Sequence, residues 1–547
     1  MKNTLVSLLV LTVFVQFGIS QESKKELAFE NITEELIAGQ LEFLSSDWTM
    51  GRETGTEGAY MASDYVASMF KAFGLKPGGD LIRASRRRSS RNSQPAPKPQ
   101  MSYFQNFNLL EYRSGDKQSC SIVSTENNSI NETKLIQNLD FSVTAGIRAV
   151  NIQSEVVFVG YGFVGDGYDD YDGLDVKNKV IIRLGGFPGH RNPESKQYEK
   201  YAGSLPSAYA AYFIERGKDI EAIKAGVAAV IEIQTNRSSF RVIPDNVPFR
   251  YNEKNYEGDE PFRTSPRVRL TLPKSNSSLT KLRLSEDALN MLLIDPDLSF
   301  KEFEDQIEKR GKPHSRSLNS NKMIKIETDV VSRIVRARNV VGIIEGKNQD
   351  ACVVVGAHYD HLGQVRNLTY NGADDNASGT VGIMTIAKSI IETGIKPEYT
   401  IVFCAWTGEE KGLLGSAYYA ENTLIKDIKC YMNYDMISRV ALDDPDKNKC
   451  DFQYTSTVPL LRELTEDHIK EFNINLDIKY KGSERPTGGS DFSSFSRKGY
   501  PIFLLHGKFT PDYHQHTDHF EKANLTYMRD IIRLGFLNIF ELSTQIW

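Results

Sequence analysis

The sequence predicts an α/β fold: a sheet with helices on both faces, and a separate β-rich module ahead of it. From about 335 onward, short apolar runs alternate with stretches of helical periodicity, the pattern of strands and helices taking turns. Between about 150 and 325, apolar runs such as Val156 to Gly160, Lys179 to Leu184, Ala228 to Ile233 and Val268 to Leu272 follow one another, punctuated by Gly, Pro, Asp and Asn. The 547-residue length exceeds what one core ordinarily serves and calls for two or three domains.

Taken in order, residues 1–20 read as a signal peptide. Lys2 supplies the positive start, Leu5 to Phe17 is almost wholly apolar, and Gly18 and Ser20 precede a cut before Gln21. Export is therefore expected, to the outside or to a periplasm, with no stable membrane insertion after cleavage. Residues 27–76 look helical: Asn31 to Glu35 offers a cap and an acidic first turn, and Met61, Tyr65, Val66, Met69, Phe70 and Phe73 recur at helical spacing. The stretch 81–101 carries Arg83, Arg86, Arg87, Arg88, Arg91 and Lys98 among Ser, Asn and Pro, and reads as a mobile basic loop. The next segment is expected to be a β-rich module with one or two helices. After it, Asn339 to Glu345 and Ala351 to Ala357 flank Gly346 to Asp350 and predict a hairpin. A helix is expected over Ser378 to Glu392, a strand over Thr400 to Trp406, a helix over Leu413 to Asn422 and a strand over Lys429 to Met436.

A net charge of −5 excludes a general nucleic-acid binder, which would carry a basic surplus. Five cysteines do not make a disulfide scaffold. Cys352 and Cys404 lie in strand-like runs and read as buried thiols, while Cys430 and Cys450 could form one bridge. Glycosylation sequons occur at Asn131, Asn236 and Asn376.

Chemistry-bearing residues cluster where the predicted strands end. His358, Asp360 and His361 follow an apolar strand. Asp374 and Asp375 precede a helix, Glu409 and Glu410 follow the next strand, and Asp435 follows the one after. Tyr513, His514, His516, Asp518 and His519 form the last group. In open α/β sheets, sites form at such strand ends. Each group alone has an ordinary explanation; Asp374 and Asp375, for instance, could cap a helix. Gathered together, the carboxylates repel, and a divalent cation relieves that. Nitrogen and oxygen donors without thiolate suit zinc, with manganese or cobalt as alternatives. Three carboxylates and two histidines suit a metal pair that shares a carboxylate and a water and keeps open positions.

This order of motifs resembles the M28 family of zinc peptidases: His-x-Asp, then Gly-Ala-Asp-Asp-Asn-x-Ser-Gly, then Gly-Glu-Glu-x-Gly-Leu-x-Gly-Ser, then Asp-Met, then Tyr-His. The likeness extends to Gly51-Arg-Glu-Thr-Gly-Thr-Glu-Gly, to Gly74-Leu-Lys-Pro-Gly-Gly-Asp and to Tyr103-Phe-Gln-Asn-Phe. The middle segment, with Gly160-Tyr-Gly and Lys224-Ala-Gly-Val-Ala-Ala-Val-Ile, looks like the protease-associated (PA) domain inserted in many members. The resemblance implies a zinc-peptidase domain with a central mixed β-sheet flanked by helices, in two parts, 21–145 and 326–547, around a PA-like insertion at 146–325. It implies two Zn²⁺ per chain. Asp374 would bridge them, His358 and Asp435 would complete one site, and Glu410 and His514 the other. Glu409 would be the general base acting on a metal-bridging water, Asp360 would orient His358, and Tyr513 would help hold the oxyanion. The implied substrate is a peptide with a free N-terminus. A carboxypeptidase of the same fold, a one-zinc glutaminyl cyclase and a non-catalytic binding protein are the alternatives. Two departures from the family stand out: Gln515-His516 after the last Tyr-His, and the basic stretch itself. The sequence leaves the oligomeric state and the preferred N-terminal residue open.

Overall fold

The computed structural model describes residues 23–82, 100–126, 129–203, 207–233, 268–273, 278–293, 299–318, 321–365 and 367–547. The expected signal peptide, nearly all of the expected basic loop and the sequon at Asn236 lie outside these residues. The chain divides into two compact units, one formed by 1–109 with 335–547 and the other by 110–334.

The first unit is built on a mixed sheet. Its strands include β1 (Val330–Ile344), β2 (Asn348–His358), β3 (Tyr399–Trp406), β4 (Asp427–Tyr434), β5 (Lys449–Thr455), β6 (Asp477–Ser483) and β7 (Ile502–His506). They lie in the order β1-β3-β2-β4-β7-β5-β6. β2, β3, β4 and β7 run parallel, whereas β1 and β5 pair antiparallel to their neighbours β3 and β7. The expected hairpin between β1 and β2 is not formed, because β3 lies between them. Lys347 and Asn348 donate their backbone N–H groups to the carbonyls of Pro397 and Glu398, so the lead-in to β3 is fastened beside the short link.

Successive residues of a strand face opposite sides, and both sides of this sheet are covered. Val353, Val355 and Ala357 of β2 join one apolar core, with α1 (Glu34–Leu44), α2 (Glu57–Phe73), α3 (Gly379–Thr393) and α7 (Leu525–Thr544). Cys352 and Val354 join a second core on the other side, with α4 (Leu414–Asn422) and α6 (Phe492–Ser496); α5 (Leu460–Glu471) belongs to the first. Two-sided burial is why these strands read as unbroken apolar runs rather than as alternating ones. The helical stretch expected at 27–76 is interrupted at Asp47–Arg52 by a tight turn, in which Met50 and Gly51 take left-handed backbone angles.

The second unit, 110–334, is wider than the 146–325 of the sequence reading because Ser119–Glu126, Ser129–Lys134 and Phe141–Thr144 pair inside it. It holds a six-stranded and a four-stranded sheet. Helices at Lys196–Ala202, Ser207–Lys224, Glu286–Asn290 and Phe300–Arg310 exceed the one or two expected.

All five cysteines are buried free thiols, so no Cys430–Cys450 bridge forms. These residues lie on β4 and β5, which β7 separates. Two strand spacings, about 9–10 Å, exceed a disulfide's reach.

Gly535 of α7 sits where a side chain would overlap the buried Tyr434 hydroxyl, whereas Gly39 of α1 has open space around it. Gly535→Ala is expected to destabilise the protein by about 1–3 kcal/mol through overpacking. Gly39→Ala is expected to be neutral or to stabilise by about 0.5–1 kcal/mol. Urea unfolding of both variants beside the parent checks this; equal midpoints for the two would contradict it.

Candidate metal centre

The polar clusters meet at one edge of the sheet, where the parallel strands β2, β3, β4 and β7 end. His358 is the last residue of β2, Glu409 and Glu410 follow β3, Asp435 follows β4, and His514 lies beyond β7. The loop ahead of α3 brings Asp375 between them.

Asp375 faces two groups at once. Its Oδ1 lies 3.5 Å from His358 Nε2, and its Oδ2 lies 2.9 Å from His514 Nε2. Asp435 Oδ1 lies 3.3 Å from His358 Nε2. Glu410 Oε1 lies 3.3 Å from His514 Nε2 and 2.9 Å from His361 Nδ1. Glu409 stands slightly further out, its Oε2 3.9 Å from His358 Nε2. All of these side chains are largely or wholly buried.

The sequence reading placed Asp374 at the shared position, and here the structure departs from it. Asp374 turns away: its Oδ1 accepts hydrogen bonds from the backbone N–H and the hydroxyl of Ser438, at 2.8 and 2.9 Å. In this irregular segment Ser438 engages the first of the pair. Its neighbour Asp375 supplies the carboxylate between the histidines. Asp518 secures the segment by accepting the N–H groups of Asp374 and Asp375 at 3.0 to 3.2 Å. Asn376 ties the same loop to the Asp435 loop, donating to the Tyr434 carbonyl and accepting from the N–H groups of Gly379 and Met436. Its side chain is fully buried, so the sequon there is closed to a glycan.

Asp360 does not enter the cluster directly. Its backbone carbonyl lies 3.1 Å from His358 Nδ1. Its carboxylate accepts the Glu409 N–H at 3.2 Å and the Thr54 hydroxyl at 2.7 Å. One residue therefore orients both the histidine and the glutamate. Tyr513 stacks on His514 with ring centroids 3.6 Å apart, and His516 sits edge-on to Tyr370. Residues of the Gly51 to Gly58 motif line the outer layer. Arg52 is wholly buried and donates to the carbonyls of Tyr359, Leu44, Asn371 and Gly372, and burial lowers its pKa to about 10. Sequence reasoning gave no role to Arg52, Thr54, His361 or Asp518. The only signal was that they fell inside motifs whose other members were assigned.

Electrostatics follow from crowding carboxylates in a site shielded from water. Burial drives the Glu409 carboxyl well above its ordinary range, and His358 only partly offsets this. Burial also opposes ionisation of Glu410, but His514 and His361 overcome it and hold that carboxyl well below the ordinary range. Asp435 is lowered in the same way by His358. Conversely, Glu410 and Asp375 raise His514 to about 9 against the effect of burial. The cluster attracts positive charge.

The donor atoms suit a cation. Ligand-type atoms of His358, Glu409 and Asp435 lie within 4.8 Å of one another, as do those of His361, Asp375 and Glu410. Two ligands about 2.0–2.1 Å from a tetrahedral zinc stand about 3.3 Å apart. The separations from His358 to Asp435 and to Asp375, and from His514 to Glu410, are 3.3, 3.5 and 3.3 Å. Among the described residues, no helix is long and apolar enough to cross a membrane.

Residues 339–536, which hold every one of the groups in the cluster, match peptidase family M28. The chain carries an M28 peptidase domain. "Probable leucine aminopeptidase 2" of Arthroderma benhamiae is 31% identical over 166 residues, 30% of this chain and 32% of its own length. "Leucine aminopeptidase 2" of Arthroderma otae is 28% identical over 190 residues, 34% of this chain and 37% of its own length. The chain thus spans about a third of the length of these curated relatives. The solved aminopeptidase from Aneurinibacillus sp. strain AM-1 has a TM-score of 0.54 at 16% identity, covering 95% of this chain and 97% of that one, and shares the fold.

Thr54→Val keeps the side-chain shape but removes the hydroxyl that serves the buried Asp360. It is expected to lower stability by about 1–3 kcal/mol, while Thr54→Ser restores most of it. Denaturant melts of the three proteins check this; a Val variant as stable as the parent would contradict it.

Proposed function

We propose that this chain is an exported aminopeptidase that binds two zinc ions and removes residues from the free N-terminus of peptides. The observation that carries the reading is Asp375, with one oxygen toward His358 and the other toward His514. A carboxylate so placed serves two metals better than one, which disfavours a one-zinc cyclase. One metal would be held by His358, Asp435 and Asp375, the other by Glu410, His514 and Asp375. The names of the curated relatives support the peptidase reading and its preference for the N-terminal end.

Zinc, when bound, supplies Lewis acidity and lowers the pKa of its water from 15.7 toward about 7. The protein's part is to place and move protons. Glu409 stands at the rim of the metal-binding groups, and burial raises its affinity for a proton. It takes the proton of the attacking water and returns it to the leaving amine. Asp360, bonded to the Glu409 backbone, keeps that carboxylate aimed while also orienting His358. Tyr513, packed on His514, is the proposed donor to the oxyanion. The acidic surroundings of the site suit a substrate's α-ammonium group. The unit at 110–334 is read as the PA-like insertion, with a role in substrate access.

The test is hydrolysis of aminoacyl-p-nitroanilides beside N-acetylated and C-terminally reporting peptides, before and after chelation and zinc add-back. Cleavage confined to free-amine substrates and abolished by chelator is expected; release of C-terminal residues would move the assignment to a carboxypeptidase. Glu409→Gln should lower kcat about 10²–10⁴-fold with zinc content unchanged. Metal analysis should separate the aspartate pair: Asp375→Asn loses zinc, whereas Asp374→Asn, which keeps an acceptor for Ser438, retains it. The reverse result would restore Asp374 to the shared position.

A further inference from the structure

His361 has no role in the reading above, yet it is built into the centre on several sides. Its backbone N–H donates to the Arg52 carbonyl at 3.3 Å. Its ring is fully buried and lies against Gly372, where any side chain would overlap the imidazole. Gly372 also has a φ of 52°, which favours glycine for a second reason. The Arg52 guanidinium ties together the backbone around it, bonding the Tyr359 carbonyl two residues before His361 and those of Asn371 and Gly372. The imidazole is therefore clamped, with little freedom to turn.

Its two nitrogens are used unequally. Nδ1 lies 2.9 Å from Glu410 Oε1 and 3.8 Å from Asp375 Oδ2. Nε2 is buried with no hydrogen-bond partner among the described residues. His514 differs: its Nε2 lies 2.9 Å from Asp375 and 3.3 Å from Glu410, facing the space that the two carboxylates share. A ligand belongs in that space. His361 engages Glu410 most closely, at the length of an N–H···O bond to a charged acceptor.

We propose that His361 is a positioning residue, donating its Nδ1–H to Glu410 Oε1 and so fixing the rotation of that carboxylate for the metal held with Asp375 and His514. The inference rests on the two-zinc reading. It gives each metal its own orienting partner, both drawn from one short turn: Asp360 acts on His358, and His361 acts on Glu410. Such outer partners typically contribute 10–100-fold to metal affinity.

The experiment uses the full-length protein, stripped of metal and titrated with zinc against a chromophoric competitor, with bound metal counted by mass spectrometry. The parent should take two zinc ions. His361→Leu should weaken one site about 10–100-fold and leave the other unchanged. Asparagine places an amide N–H near the position of Nδ1, so His361→Asn should stay within about threefold of the parent. Its cobalt-substituted absorption spectrum should also be unaltered. If the Leu variant does not fold, His361→Gln, whose amide reaches toward the Nε2 position instead, should show the weakened site beside an intact Asn variant. Two tight sites in the Leu or Gln variant would overturn the proposal. So would an Asn variant as weak as these with a changed cobalt spectrum, which would make His361 a ligand. A parent that takes fewer than two zinc ions would overturn the two-metal reading itself, before any variant is compared.

Discussion

The structure depends on holding Asp375, Glu409, Glu410 and Asp435 together out of water around His358 and His514. Buried carboxylates repel one another and lose hydration, so the arrangement persists only where positive charge and hydrogen-bond donors are supplied. The histidines supply part of this, as the lowered Glu410 and Asp435 and the raised His514 record. Arg52 supplies a fixed charge nearby but gives its hydrogen bonds to four backbone carbonyls. It therefore stiffens the loops without occupying the carboxylates, which stay available for a cation.

The sheet makes this crowding achievable. Parallel strands all end at the same edge, so β2, β3, β4 and β7 deliver residues from distant parts of the sequence to one place. Their two faces are packed against separate apolar cores, which holds the strands in place. The loops are then tied to one another: Asn376 to the Asp435 loop, Asp518 to the Asp375 loop, Asp360 to the Glu409 loop. A rigid edge cross-linked in this way holds like charges at separations that a flexible loop would relax.

How much of this could be read from the sequence follows from what pattern encodes. Strands such as Val353 to Ala357 and Ile401 to Trp406 declare themselves because two-sided burial demands apolar runs, and the polar residues just after them mark the site. Pairing order is less visible. Nothing in Gly346 to Asp350 distinguishes a hairpin from a link that lets β3 pass between its flanks; the deciding bonds come from Pro397 and Glu398, some fifty residues away. The bounds of the second unit are hard to read from sequence for a similar reason, since the polar strand Ser129–Lys134 belongs to it only through pairing with Ser119–Glu126. The outer layer was hardest to read. Thr54 and Arg52 act on the site across some three hundred residues of sequence, and their role lies wholly in where the fold brings them.

The aspartate pair carries the same lesson further. Asp374 and Asp375 are chemically identical and adjacent, and motif order alone gives either one the shared position. What separates them is a partner outside the motif. Ser438 offers two donors to Asp374, and burial together with the nearby Asp518 pushes the Asp374 carboxyl well up, toward the neutral form. Asp518 in turn takes the two backbone N–H groups that aim Asp375 inward. One aspartate is thus engaged by Ser438, and the other is turned toward His358 and His514. A paired acidic motif of this kind is a division of labour, and the residue that does the binding is identified by where its neighbour is held.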